Sequence, residues 1–132
     1  RLAMDISEAS KERGRQVRVA LNGSPVARNA ATSPAFDLVP DMEDYLLGAI
    51  FGEVWSRPQL ELKTRSVITM AILAAQGQEP QLKVHIGYAL NLGWTEEEIS
   101  EMFLHVMPYA GAPAALNALR VASDVFKARA GK

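Results

Sequence analysis

Two histidines are the side chains best suited to move a proton near neutral pH, because the ordinary pKa of imidazole is about 6.5. His85 lies three residues after Leu82 and four before Ala89, so it flanks an apolar helical stripe at the margin of the core. His105 stands off the apolar seam of its own helix. An isolated histidine at such a position is more often structural than catalytic. Position therefore favours a structural role for both and leaves His85 as the better candidate for proton transfer.

A carboxylate and a guanidinium flank a tryptophan near a predicted helix end, where Glu53, Trp55 and Arg57 stand at alternate positions. One interpretation, which the local sequence favours, is a surface ion pair beside an anchoring aromatic ring. The other is a carboxylate near low-dielectric surface, whose pKa would rise until it exchanges protons near neutrality. The residues alone leave both interpretations open.

Arg65 and Tyr109 lie near the ends of predicted helices. Arg65 stands near the start of the most apolar helix, where it would bind an anion if it faced a cleft and would be solvated if it did not. Tyr109 opens the segment Tyr-Ala-Gly-Ala-Pro, whose small residues let two helices approach closely. A tight helix connection is the favoured interpretation of that segment.

The composition excludes several classes of function. The 132 residues carry 14 Lys and Arg against 15 Asp and Glu, and this balance offers no basic surface for nucleic acid or an anionic membrane. Cysteine is absent, which excludes thiol redox chemistry, disulfides and thiolate metal sites. No metal-binding motif is present, so we expect no metal. No apolar segment reaches the roughly 20 residues of a membrane span, and we expect a cytoplasmic protein.

Helical periodicity, without any segment of alternating polar and apolar residues, predicts an all-α fold of about six helices. Thr95 and Glu98 form a capping box, which is the most clearly defined helix start. We expect one domain over residues 1–132, with a peripheral helix and an irregular arm in 1–40 and the helical core in 41–132. The predicted helices span residues 5–21, 41–55, 61–76, 79–90, 95–107 and 114–127, with a break at 108–113.

The apolar stripes indicate which side chains form the core. Leu82 and Phe103 lie at the centres of their stripes. The helix at 61–76 is apolar on nearly every side, which is typical of the buried centre of a bundle. In the last helix the pattern predicts that Leu116 faces the core.

Five short segments, taken in order and with their spacing, carry a family resemblance over nearly the whole chain. They are GEVWSRP at 52–58, LKTRS at 62–66, QLKVH at 81–85, GWTEEEI at 93–99 and YAGAPAA at 109–115. Together they resemble the carboxymuconolactone decarboxylase family of the alkylhydroperoxidase D-like superfamily. The resemblance implies a helical bundle that assembles into a homo-oligomer, a trimer or a hexamer.

The resemblance also implies a decarboxylase acting on an unsaturated lactone or a related carboxylic acid. In the family's reference reaction, CO2 leaves a carbon conjugated to the lactone carbonyl, and the carbonyl accepts the electrons as a dienolate. The substrate is its own electron sink, so no cofactor is needed. His85 would donate the proton, and Glu53 would orient or recharge its imidazole. Arg57 and Arg65 would bind the anionic groups of the substrate. Trp55 and Tyr109 would form an aromatic wall that excludes water.

Several positions depart from the family's patterns. Gln78 and Gln81 stand where the redox branch has its two cysteines, so a disulfide-cycling peroxidase is chemically excluded. Gly87 stands where the decarboxylase that gives the family its name has an arginine. In that enzyme a histidine follows the sequence Pro-Ala-Ala-Asn, whereas this chain has Leu116 before Asn117. The substrate therefore stays open. The alternatives are a non-catalytic oligomer that binds a small molecule and a cysteine-independent oxidoreductase.

Overall fold

The computed structural model describes residues 6–24 and 33–131, and every regular element within these ranges is helical. The all-α prediction is confirmed. In chain order the elements are α1 Glu8–Asn22, α2 Pro34–Leu38, α3 Pro40–Asp44, a π-helix Tyr45–Trp55, α4 Leu62–Gln76, α5 Glu79–Asn91, α6 Glu96–Ala110 and α7 Ala112–Ala130. None of the helices in the described part of the chain is both long and apolar enough to cross a membrane.

The chain divides into two compact units, Arg1–Leu62 and Lys63–Lys132, and each is described by itself. The first holds α1, α2, α3 and the π-helix, and the second holds nearly all of α4 together with α5, α6 and α7. That the whole chain forms one domain stays a prediction.

The first unit is built on a close approach between α1 and the π-helix. A Cβ atom placed on Gly14 would overlap the carbonyl oxygen of Leu47, and one placed on Gly52 would overlap the carbonyl oxygen of Ser10. Only glycine fits at these two positions, because its missing side chain lets backbone meet backbone. The crossing brings the residues beside these glycines, Arg13 on α1 and Glu53 on the π-helix, into contact.

The π-helix differs from the single α-helix predicted over 41–55. The chain forms a short α-helix at Pro40–Asp44 and then continues with the wider π-helical pattern, in which hydrogen bonds span five residues. The arm predicted to be irregular also contains helix, since Ser33 caps α2 by accepting from the backbone N–H of Ala35. Residues 25–32 of that arm and residue 5 of the first predicted helix lie outside the described residues.

The second unit packs around Leu82 and Phe103, which are fully buried as predicted. Helix α4 is not buried on every side. Its buried residues, Ser66, Met70 and Ala74, recur every four positions on one face, while Ile72 on another face is half exposed. The core residues of this unit are Met70, Ala74, Leu82, Ile86, Ala89, Ile99, Phe103, Ala118, Val121, Ala122 and Val125.

The junction between α6 and α7 is shorter than predicted. Helix α6 continues through Pro108 to Ala110 and is capped by Gly111, whose φ of 98° favours glycine. Helix α7 begins at Ala112 instead of residue 114. The prediction for Leu116 is wrong, since this side chain is 65% exposed. Small residues face the core there instead, which lets α7 lie close to its neighbours: they are Ala115, Ala118 and Ala122.

Candidate active site

A surface cavity of about 560 Å³ lies in the first unit, between α1 and the segment that follows the π-helix. Two residues predicted to bind substrate, Trp55 and Arg57, line it. Its wall is mainly apolar and includes two arginines and one glutamate. The lining residues are Arg13, Gln16, Val17, Ala20, Trp55, Ser56, Arg57, Pro58, Leu60, Glu61 and Leu62. Such a lining suits a small molecule with an apolar body and an anionic group.

Trp55 gives the cavity a fixed aromatic surface. Its side chain is buried, and its ring packs against Phe51 one helical turn earlier, with the ring centroids 5.7 Å apart. Arg57 lies just beyond the end of the π-helix and is exposed. The cavity is therefore lined both by a buried aromatic residue and by an exposed arginine.

Glu53 is held by partners within the same unit. Its carboxylate accepts a hydrogen bond from the Ser10 hydroxyl, and its Oε1 lies 2.6 Å from Nη2 of Arg13. The Ser10 hydrogen bond and the Arg13 charge lower the pKa of Glu53 from its usual value. The sequence interpretation with a raised pKa is therefore wrong in direction, and the carboxylate is ionised at neutral pH.

Arg13 is the functional candidate that sequence reasoning missed as a site residue. Its Nε donates to the carbonyl oxygen of Gly52 at 3.2 Å, and its Nη2 donates to Ser10 at 3.2 Å as well as to Glu53. Arg13 is also one of the residues that line the cavity, as Trp55 is. The contact joins residues forty positions apart, so no local pattern reveals it. The available signal was Gly14, next to Arg13, since a glycine within a helix permits close packing.

The second unit holds His85, Arg65 and Tyr109. His85 is partly buried on α5, where its ring meets Tyr88 edge to face with the centroids 5.2 Å apart. Burial lowers the pKa of His85 to about 4, so the imidazole is neutral at pH 7. Arg65 is partly buried near the start of α4. Tyr109 is 83% exposed near the end of α6, with its ring 5.5 Å from that of His105.

The second unit also has an open apolar groove of about 530 Å³ between α4 and α6. Trp94 forms part of it and is held by its indole N–H, which donates to the Lys63 carbonyl oxygen at 3.0 Å. The polar side chains that line the groove are those of Glu98, Glu101 and His105. No arginine of the described residues lines this groove, so it suits a carboxylate substrate less well than the cavity of the first unit. Within residues 6–24 and 33–131, no three His, Asp or Glu side chains come together as metal ligands.

Comparison with known proteins finds one matching family and relatives that are named as decarboxylases. Residues 40–124 match the carboxymuconolactone decarboxylase family. The chain is 37% identical over 120 residues to the 4-carboxymuconolactone decarboxylase of Acinetobacter baylyi, covering 91% of this chain and 89% of that protein. It is 33% identical over 116 residues to the nitrosuccinic acid decarboxylase of Metarhizium robertsii, covering 83% and 76%.

The chain therefore belongs to the carboxymuconolactone decarboxylase family, as the five sequence segments indicated. Its similarity to two named decarboxylases makes it a carboxy-lyase, an enzyme that releases CO2 from a carboxylic acid.

Proposed function

We propose that this protein decarboxylates an unsaturated lactone acid similar to 4-carboxymuconolactone, or a related carboxylated small molecule, without a cofactor. The observation that carries the proposal is the cavity in which Arg13 and Arg57 lie beside the apolar surface of Trp55. The similarity to a 4-carboxymuconolactone decarboxylase supports this choice of substrate class.

The reaction needs one bond to break and one to form. The carbon–carboxylate bond breaks, CO2 leaves, and the electron pair moves through the conjugated system to the lactone carbonyl oxygen. The resulting dienolate then takes one proton at carbon. The protein has to bind the anionic substrate, stabilise the negative oxygen and supply that proton.

Substrate binding is assigned to the guanidinium and aromatic side chains. Arg57 and Arg65 would hold the carboxylate or the lactone oxygen, because a guanidinium offers paired N–H donors to such groups. Trp55 and Tyr109 would exclude water from the reacting centre. The positions of Trp55 and Arg57 on the cavity wall support their part of this assignment, while the roles of Arg65 and Tyr109 stay predictions.

Proton transfer is assigned to His85. Its lowered pKa, about 4, means that the free enzyme holds a neutral imidazole at pH 7. A substrate anion beside the ring would raise this pKa, because an opposite charge favours the imidazolium. The donor would then become charged when substrate binds. Glu53 stays part of the proposed machinery as an ionised carboxylate that positions another side chain and transfers no proton.

The test is CO2 release from a panel of unsaturated lactone acids and β-keto acids, without added metal. For the true substrate run in D2O, we expect a product with one solvent-derived deuterium on carbon, seen by NMR. Release of CO2 from none of the panel, with binding of these acids retained, would instead support the binding-only member of the family. The neutral imidazole of His85 is the observation that favours this second candidate.

The proposal includes a homo-oligomer, a trimer or a hexamer. Apolar side chains that are about half exposed on the second unit support it, since large exposed apolar side chains are buried when subunits associate. These residues are Ile68, Ile72, Val84 and Leu104. Light scattering after size exclusion measures the mass, and a stable monomer at micromolar concentration would contradict this part.

A further inference from the structure

We infer that Arg13 is an anion-binding residue of the cavity in the first unit and that Glu53 is the positioning residue that holds it. The inference deepens the proposed function, and it rests on that function for the identity of the bound anion as the substrate's carboxylate or lactone oxygen. It replaces the proton-transfer role of Glu53 with a role that acts through Arg13.

The hydrogen bonds of Arg13 fix one edge of its guanidinium. Nε donates to the carbonyl oxygen of Gly52, and Nη2 donates both to Ser10 and to Glu53. Nη1 takes part in none of these bonds, and no other bond of Arg13 is found among the described residues. Arg13 is one of the residues that line the cavity, and the N–H groups of Nη1 are the donors from which we infer binding of a carboxylate.

Ser10 connects this arrangement to the backbone of α1. Ser10 is only 5% exposed, and a polar residue buried this deeply almost always has hydrogen-bond partners. The hydroxyl receives a hydrogen bond from the Ser7 hydroxyl at 2.8 Å, accepts from Arg13 and donates to Glu53. A buried hydroxyl that bonds both members of an ion pair holds them at the helix crossing made by the glycines.

A surface arginine loses considerable side-chain freedom when it binds a ligand. Arg13 has already lost much of that freedom, because Glu53, Ser10 and the Gly52 carbonyl oxygen hold it in the free protein. Preorganisation of this kind raises affinity by reducing the entropy lost on binding. It also explains a carboxylate beside an anion site: Glu53 fixes the guanidinium and stays ionised, so it does not exchange protons near neutrality.

Binding of benzoate, with benzamide as its neutral counterpart, tests Arg13 without any need for turnover. By calorimetry we expect benzoate to bind more tightly than benzamide and Arg13→Gln to weaken benzoate roughly ten-fold, the usual loss for a charged hydrogen bond. Arg13→Lys keeps the positive charge but lacks the paired N–H donors of a guanidinium. Its affinity for benzoate should lie between those of wild type and Arg13→Gln. Arg15→Gln is the matched control, because Arg15 is on the same helix, pairs with Glu8 and Glu12, and is not part of the cavity wall. Equal binding of benzoate by wild type and Arg13→Gln would overturn the inference.

The role of Glu53 is tested by a double-mutant cycle. We expect Glu53→Ala to weaken benzoate about three-fold in the wild-type background, and Glu53→Gln, whose amide oxygen still accepts from Arg13, to restore most of the affinity. In the Arg13→Gln background, Glu53→Ala should have almost no further effect. Equal losses in both backgrounds would show that Glu53 acts independently of Arg13.

Turnover separates this inference from the proposed function. With a substrate that the enzyme decarboxylates, Arg13→Gln should raise KM roughly ten-fold and leave kcat nearly unchanged. The substitution removes an interaction that binds the substrate and the transition state equally. A cavity that binds benzoate through Arg13 but releases no CO2 would refute the proposed function alone. Active enzyme whose KM does not depend on Arg13 would refute this inference alone.

Discussion

Arg13 and Glu53 stand forty positions apart in the chain, yet Nη2 of the arginine lies 2.6 Å from Oε1 of the glutamate. Each residue is a neighbour of a glycine, Gly14 or Gly52, at which any larger side chain would overlap the backbone of the opposite helix. The glycines set how closely the helices approach, and the charged pair lies at that crossing. Packing and the candidate binding site therefore depend on the same few residues.

Replacing Gly52 by alanine tests this dependence. Its Cβ would overlap the Ser10 carbonyl oxygen, so the helices must move apart, and we expect a loss of roughly 2 kcal/mol or more in the free energy of unfolding. Gly87→Ala is the control, since Gly87 is also helical and a Cβ atom placed on it would meet no described atom within 4 Å. That variant should gain about 0.5–1 kcal/mol from helix propensity. Equal effects of the two substitutions in urea unfolding would contradict the close crossing.

Core position provides a second test. Leu82→Ala and Phe103→Ala should each lower the free energy of unfolding by roughly 2–5 kcal/mol, because both side chains are fully buried. Leu116→Ala is the control on an exposed position and should change it by less than about 0.5 kcal/mol. A large loss for Leu116→Ala would show that this side chain is covered in the protein in solution.

Local features of the fold could be predicted from sequence, while the contacts between helices could not. The capping box at Thr95 and Glu98 forms both of its hydrogen bonds, at 3.0 and 3.1 Å, because residues three apart determine it. Leu116 was misplaced because α7 has small apolar residues on a neighbouring face, and periodicity alone cannot say which face a partner helix covers. The Arg13 site depends on a crossing of two helices, which no spacing along the chain encodes.

The same distinction applies to the site. Trp55 and Arg57, two positions apart in the sequence, line one cavity, and their roles in substrate binding stay predictions. The sequence left open whether the pKa of Glu53 is raised, because the groups that lower it, Ser10 and Arg13, lie on another helix. A pKa depends on the three-dimensional surroundings, and sequence shows only the neighbours along the chain.

The buried imidazole of His85 predicts how stability changes with pH. In the unfolded chain its pKa is close to the ordinary 6.5, whereas burial lowers it to about 4 in the folded protein. The unfolded state therefore binds more protons between these values, so stability should fall as the pH decreases from 6.5 to 4. The loss attributable to His85 is at most about 3 kcal/mol.

His85→Gln isolates this contribution, because glutamine does not titrate. Urea unfolding at several pH values should show a flatter profile between about pH 6.5 and 4.5 for the variant than for wild type. The carboxyls of Glu8, Glu53 and Glu98, whose pKa values are lowered, lose their stabilising effect only as the pH falls below their usual 4.5. Parallel profiles in the upper window would show that His85 is not the group responsible.

The catalytic role of His85 predicts a loss of activity without a loss of fold. His85→Gln keeps similar bulk and hydrogen bonding but cannot carry a proton near neutral pH, so kcat should fall by about 10²–10⁴, the usual contribution of general acid catalysis. At pH 7 the imidazole is already neutral in the folded protein, so the melting temperature should stay close to that of wild type. His105→Gln is the control, since it changes the other histidine of the chain and should leave kcat within about two-fold.

If substrate binding charges His85, kcat should also depend on pH through a group with a pKa well above 4. This dependence should be absent from His85→Gln. Full turnover by a folded His85→Gln enzyme would make His85 structural and require another proton donor.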